Sequence, residues 1–246
     1  MSGASGIGRL LLRRGMARVR SAYGAGAAAL KATAAGATLL AAALAGSAAT
    51  AAETLTIAAL GDSLTHGYGL APDDAFPVRL EAWLRARGHD VEVMNAGVSG
   101  DTTRGGLSRL DWTLTPEVDA VIVELGGNDL LRGIDPASSR ENLDAILAEL
   151  DRRGLPALIA GLPAPGNYGP EFKRDFDAMF PELAETWGAI HVENFMAGLG
   201  AAEDRDAAMA LMQDDGIHPN AQGVAAIVEA IGPAVERLIA RARGEG

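Results

Sequence analysis

Residues Ile57 to Gly69 read IAALGDSLTHGYG. Four apolar residues with no polar alternation mark a short strand covered on both faces, and the glycine after them ends it. Asp62 and Ser63 then follow in the turn beyond the strand. Outward from this stretch the same punctuation recurs. Apolar runs at Leu55–Leu60, Val91–Asn95, Val118–Leu125, Ala157–Leu162 and Ala189–Val192 are strand candidates, with amphipathic stretches between them. That alternation predicts a parallel sheet layered by helices. Leu143, Ile146, Leu147 and Leu150 share one helical face, with Ser138 or Ser139 as the expected N-cap and Gly154 just past the end. A final helix carries Val224, Ile227, Val228, Ile231, Val235, Leu238 and Ile239 in one stripe, and Gly232-Pro233 should kink or split it.

With 246 residues, 48% hydrophobic and 22% charged, the chain can bury one sizeable core. The net charge of −11 is unevenly spread. Residues 1–52 hold six basic side chains (Arg9, Arg13, Arg14, Arg18, Arg20 and Lys31) and no acid, and they end in the run ATAAGATLLAAALAGSAATAA, just before Glu53. Positive charge, an apolar stretch and a small-residue exit such as Ala49-Thr50-Ala51 together read as a cleaved export signal. The competing readings are a low-complexity alanine helix or a membrane anchor. Residues 53–246 are then one domain, exported to the periplasm or secreted, without stable membrane insertion and monomeric by default. Beyond the signal, 15 basic residues face 32 acidic ones and Lys173 is the last lysine, which argues against nucleic acid as a partner. The absence of cysteine excludes disulfides, thiol nucleophiles and Cys-ligated metals.

In an open parallel sheet, ligands sit beyond the carboxyl ends of the strands. The polar motifs fall there: GDSLT after the first strand, NAGVSGDT after the second, GGNDLLRG after the third, LPAPGNYG after the fourth, and DDGIHPN before the last helix. A serine hydroxyl needs a base to become a nucleophile. His218 follows Asp215 by three residues, a spacing that lets the carboxylate hold one ring nitrogen and free the other for Ser63. Asp214 is the rival carboxylate. His66, His89 and His191 are expected to be surface or packing residues. Donors for a developing oxyanion could come from the backbone N–H of Ser63, the backbone N–H of Gly100 and the side-chain amide of Asn128, where Gly126 and Gly127 allow a tight turn.

GDSL, NAGVSGDT, GGND and DGIHP, in this order across residues 54–240, resemble the consecutive blocks of the GDSL or SGNH hydrolases. VELGGNDLLRG, NYG and MQDDGIHPNAQG resemble its bacterial arylesterase, thioesterase I and lysophospholipase branch. The resemblance implies a flavodoxin-like three-layer α/β/α sandwich with five parallel strands, and no metal or organic cofactor. It implies the signature residues Ser63, Gly100, Asn128 and His218, with Asp215 completing a triad. It also implies an acyl site from the loops Leu130–Pro136 and Pro163–Gly169, with Leu130, Leu131, Pro163, Asn167 and Tyr168 as substrate-binding candidates. Pro165-Gly166 departs from the thioesterase I pattern toward the arylesterase form, so acyl-length preference does not carry over. Asp62 is expected to accept several backbone N–H bonds and lock the serine turn, and Asp101 and Asp129 to organise loops.

The activity expected is hydrolysis of a small-molecule ester or thioester through an acyl-enzyme. A carbohydrate O-acetylesterase would use the same residues. A receiver module on this fold would want clustered acids after the first strand and a lysine near the end of the last, and no lysine follows Lys173; a phosphate-binding glycine-rich loop is absent as well. A degenerate SGNH domain would lack a signature residue, and none is missing. N-terminal sequencing of exported protein should return a chain starting between about Thr50 and Glu53; a start at Met1 or Met16 would refute the signal.

Overall fold

In the computed structural model of the chain, residues 54–200 and 204–245 are described. The segment expected to direct export, residues 1–52, lies outside them. The strands are β1 (Leu55–Gly61), β2 (Val91–Gly97), β3 (Ala120–Glu124), β4 (Ala157–Ala160) and β5 (Ile190–Val192). The α-helices among the described residues are α1 (Ser63–His66), α2 (Phe76–Ala86), α3 (Thr103–Ser108), α4 (Leu110–Thr113), α5 (Gly127–Leu131), α6 (Pro136–Arg153), α7 (Pro170–Trp187), α8 (Arg205–Met209) and α9 (Ala221–Ala242). All strand pairs are parallel and the order is β2-β1-β3-β4-β5. The strand order reverses between β1 and β3, where Ile57 pairs with Ala120 and Gly61 with Glu124. A crevice for a ligand opens at such a reversal.

Both faces of the sheet are covered, which is why the strands read as unbroken apolar runs. Ile57 and Ala59 pack toward Phe76, Leu80 and Leu84 of α2 and the stripe of α9. Ala58 and Leu60 face the other way, toward Leu143, Ile146 and Leu147 of α6 and Phe176, Met179 and Phe180 of α7. The result is the expected three-layer α/β/α sandwich with five parallel strands. Strand ends differ from expectation by one or two residues: β2 extends to Gly97, and β3 and β4 stop at Glu124 and Ala160.

Two helix features correct the sequence reading. Helix α6 begins earlier than Ser138 or Ser139, because Asp135 caps it through the Ala137 N–H and Pro136 supplies a preset first residue. Ser139 is instead buried and donates to Asp129 at 2.8 Å. Helix α9 runs unbroken through Gly232-Pro233. Its stripe is buried along the whole length. Burial at about 1.5–3 kcal/mol for each large apolar side chain outweighs the roughly 3 kcal/mol an interior proline costs. Gly232 serves packing, since a Cβ there would lie 2.4 Å from the Trp83 ring of α2.

At the carboxyl end of the sheet, backbone meets backbone. A Cβ on Gly97 would lie 2.3 Å from the His66 nitrogen and 2.9 Å from the Asp62 carbonyl oxygen, so the end of β2 presses directly on the turn that carries Ser63. Gly97→Ala should therefore destabilise the fold by about 1–3 kcal/mol in urea unfolding, the usual cost of overpacking a rigid contact. An unchanged midpoint would show that the turn yields.

Candidate active site

Ser63 is the first residue of α1, whose N-cap is Asp62. The Asp62 carboxylate is buried; its Oδ1 accepts the Leu64 N–H at 2.9 Å and its Oδ2 accepts the Asn128 side-chain amide at 3.0 Å. It thus takes one backbone N–H rather than the several expected, because the rest of its acceptor capacity is turned toward Asn128. Behind it, Glu124 at the end of β3 is buried, with Oε2 accepting the Thr65 hydroxyl at 2.8 Å and lying 3.5 Å from the Asp62 nitrogen. Glu124 Oε1 has no partner among the described residues. Burial, reinforced by the Asp62 charge, pushes the Glu124 carboxyl well above the ordinary carboxylate range. Burial also raises Asp62, opposed by its bonds from Leu64 and Asn128.

His218 approaches Ser63 from the loop before α9. Its Nε2 lies 2.9 Å from Ser63 Oγ and its Nδ1 lies 2.6 Å from Asp215 Oδ2. A carboxylate accepts only, so Nδ1 carries the proton and Nε2 is left to accept the serine hydroxyl. Asp215 Oδ1 also accepts the backbone N–H of His218 at 3.0 Å and of Ile217 at 2.9 Å. These bonds from His218, backbone and ring, and from Ile217 hold Asp215 down at about 2. Asp214 is exposed and makes no side-chain hydrogen bond among the described residues. The Tyr68 ring lies 4.7 Å from the His218 ring, and Gln213 ties the loop to the Tyr68 carbonyl at 2.8 Å.

Gly100 sits in the β2–α3 loop at φ +87, a conformation that favours glycine. Its carbonyl accepts from Arg132 at 2.9 Å, and among the described residues neither its N–H nor that of Ser63 is engaged by another protein atom. Arg109 buttresses this loop, donating to Asp101 at 2.6 Å, the Ala96 carbonyl at 2.7 Å and the Gly61 carbonyl at 2.9 Å. Asp129, buried, accepts from the Thr103 N–H and hydroxyl and from Ser139, joining α5 to α3 and α6. Asp101 thus holds the Arg109 side chain, while Asp129 bonds to neighbouring helices and not within its own loop. His66 contacts Ser99 at 3.1 Å, His89 meets Glu236 at 3.2 Å, and His191 lies in β5, where burial lowers its pKa.

A mostly apolar cleft of about 160 Å³ opens beside Ser63 and Asn128, lined by Leu64, Leu130, Leu131, Leu162, Pro163, Met196 and Ile217. Leu130, Leu131 and Pro163 are among the expected residues. Asn167 is exposed and does not line the cleft. Tyr168 also stands outside, with its hydroxyl 3.3 Å from the Leu131 carbonyl, so it braces one wall. Leu64, Leu162, Met196 and Ile217 were missed; Ile217 adjoins His218 in GIHP, which could have flagged it, but Met196 comes from the loop after β5 and carries no motif. Glu124, Thr65 and Arg109 were missed because their partners lie 8 to 62 residues away in sequence. Among the described residues no group of three or more His, Cys, Asp or Glu side chains is arranged to hold a metal ion.

Residues 59–226 match the family model described as GDSL-like lipase/acylhydrolase, and the chain belongs to that family. It is 35% identical over 190 residues to Esterase TesA of Pseudomonas aeruginosa, covering 77% of this chain and 90% of that protein. It is 38% identical over 173 residues to thioesterase 1/protease 1/lysophospholipase L1 of Escherichia coli K12, covering 70% of this chain and 78% of that one. Among solved structures, AlinE4, an SGNH-hydrolase family esterase, is 45% identical and superposes with a TM-score of 0.62, covering 75% of this chain and 96% of that chain.

The buried carboxyl pair predicts a pH effect on stability. Because the fold favours protonated Glu124, its contribution is present at pH values below about 4.5 and is lost as pH rises through the higher folded value. The charge that faces it is Asp62. Glu124→Gln, similar in shape and never ionised, should therefore gain melting temperature relative to the parent as pH is raised from 5 to 9. A difference that stays constant with pH would mean that Glu124 does not titrate on this account.

Proposed function

We propose that the chain is a serine hydrolase of carboxylic esters and thioesters, including aryl esters, acyl thioesters and lysophospholipids, working through Ser63, His218 and Asp215. The observation that carries this reading is the line of contacts Ser63 Oγ to His218 Nε2 at 2.9 Å and His218 Nδ1 to Asp215 Oδ2 at 2.6 Å, opening onto an apolar cleft. The activities named for the relatives support the substrate class.

In the first step Ser63 Oγ bonds to the substrate carbonyl carbon while its proton passes to His218 Nε2 and the carbonyl electron pair moves onto oxygen. The N–H groups of Ser63 and Gly100 and the amide of Asn128 receive that oxyanion. Asp215 keeps the imidazole in the accepting tautomer and offsets its positive charge. Collapse re-forms the carbonyl and breaks the C–O or C–S bond, and His218 gives its proton to the departing oxygen or sulfur. Water repeats the sequence on the acyl-serine, releasing the acid and restoring Ser63. The cleft walls would hold the acyl chain. Residues 53–246 form this hydrolase domain, and residues 1–52 direct export.

Since Asp215 is held down at about 2, its own ionisation should contribute no limb to the pH dependence of kcat/KM for a p-nitrophenyl ester between about pH 5 and 9. His218→Ala should remove most of the activity. Asp215→Asn should cost up to about 10⁴-fold, because an amide admits the wrong tautomer, whereas Asp214→Asn should cost little. A more damaging Asp214→Asn, with both variants folded, would displace the assignment by one residue.

A further inference from the structure

The Asn128 side-chain nitrogen carries two hydrogens, and only one can serve an oxyanion while the other faces the protein. The protein-facing partner is Asp62 Oδ2 at 3.0 Å. Asp62 is 2% exposed, and its other oxygen is committed to the Leu64 N–H at 2.9 Å. It is therefore fixed in rotation by two donors from different elements, α1 and α5.

A carboxylate only accepts, so it admits a single orientation of the neighbouring amide, nitrogen inward. An acceptor that could also donate would tolerate the flipped amide, with oxygen inward and the nitrogen turned away from Ser63. This accounts for a buried anion close to a site where negative charge is to develop, an otherwise unfavourable placement. The second carboxyl, Glu124, stands behind the Asp62 backbone, and burial together with the Asp62 charge pushes its pKa well above the ordinary carboxylate range. The other charged groups acting on Asp62 are His218 and Asp129.

We propose that Asp62 is a positioning residue of the oxyanion site: by accepting one amide hydrogen of Asn128 it aims the other at the substrate oxygen. This rests on the serine-hydrolase reading above and assigns to Asp62 a role in the rate rather than only in the shape of the turn. In Asp62→Asn the oxygen stays on the Leu64 N–H, so a new NH2 group confronts Asn128 and drives its amide to flip.

The test is a double-mutant cycle on the purified full-length protein with a p-nitrophenyl ester. Asn128→Ala should lower kcat by about 10²-fold with KM nearly unchanged, the cost of one oxyanion donor. Asp62→Asn should do about the same by the same route. Introduced into the Asn128→Ala background, however, Asp62→Asn should cost less than about threefold, because the group it acts through is gone. Equal losses in both backgrounds would assign Asp62 to the turn alone and overturn the proposal, as would full kcat in Asp62→Asn. Full kcat in Asn128→Ala would likewise overturn it, because Asp62 acts through that amide, whereas turnover by Ser63→Ala would instead sink the underlying hydrolase reading.

Should Asp62→Asn fail to fold by near-ultraviolet circular dichroism, the parent protein decides. In ¹⁵N-labelled material, the Asn128 amide is assigned by its loss in Asn128→Ala. One of its hydrogens should be protected from solvent exchange, and the other should shift when a phosphonate esterifies Ser63. Two freely exchanging hydrogens would overturn the proposal.

Discussion

The serine turn is wedged against the ends of two strands. Gly97 of β2 lets the main chain come within contact distance of His66 and Asp62, and at Gly61 a Cβ would fall 2.0 Å from the Thr65 hydroxyl. With no side chains as spacers, the position of Ser63 is referred directly to the sheet, the stiffest part of the molecule. The loops of Gly100, Asn128 and His218 have only to be placed relative to that fixed point. Arg109 does this for the Gly100 loop by bonding main-chain carbonyls at the ends of both β1 and β2.

The strand order explains why these loops converge. Because β3 lies on the opposite side of β1 from β2, the segments leaving β1 and β3 diverge to cover different neighbours, and a crevice opens between them. Ser63 and Asn128 stand on its two lips. The price of building polar chemistry there is the burial of Asp62, Asp129 and Glu124 among apolar layers. Asp129 is offset by three donors and Asp62 by two. Glu124 has one close donor, and burial pushes its pKa well above the ordinary carboxylate range.

The mouth of the cleft differs from this polar floor. Leu131 and Ile217 line it yet remain largely exposed, and Tyr68 and Tyr168 stand exposed nearby, one against His218 and the other against the Leu131 carbonyl. Polar groups near Ser63 are held by hydrogen bonds within the protein, whereas the outer walls are lined mainly by apolar side chains. That division suits a ligand with one polar carbonyl and an apolar remainder.

Much of this was legible in the sequence, for reasons of short range. Strand positions follow from apolar runs, and the helix stripes follow from a local period. The pairing of Asp215 with His218 is contained in one turn, so its three-residue spacing nearly determines its geometry. Choosing between Asp214 and Asp215 required the fold, because the direction of each carboxylate depends on how the loop is anchored to Tyr68 and Leu211. The unbroken α9 was settled by packing against Trp83 and the sheet, which outweighs a local proline signal. The bond from Asn128 to Asp62, and the burial of Glu124 behind it, joins residues 62 or more positions apart. Such contacts have no local signature: any acid can occupy a turn, and only the approach of β1 to β3 determines which acid meets which amide.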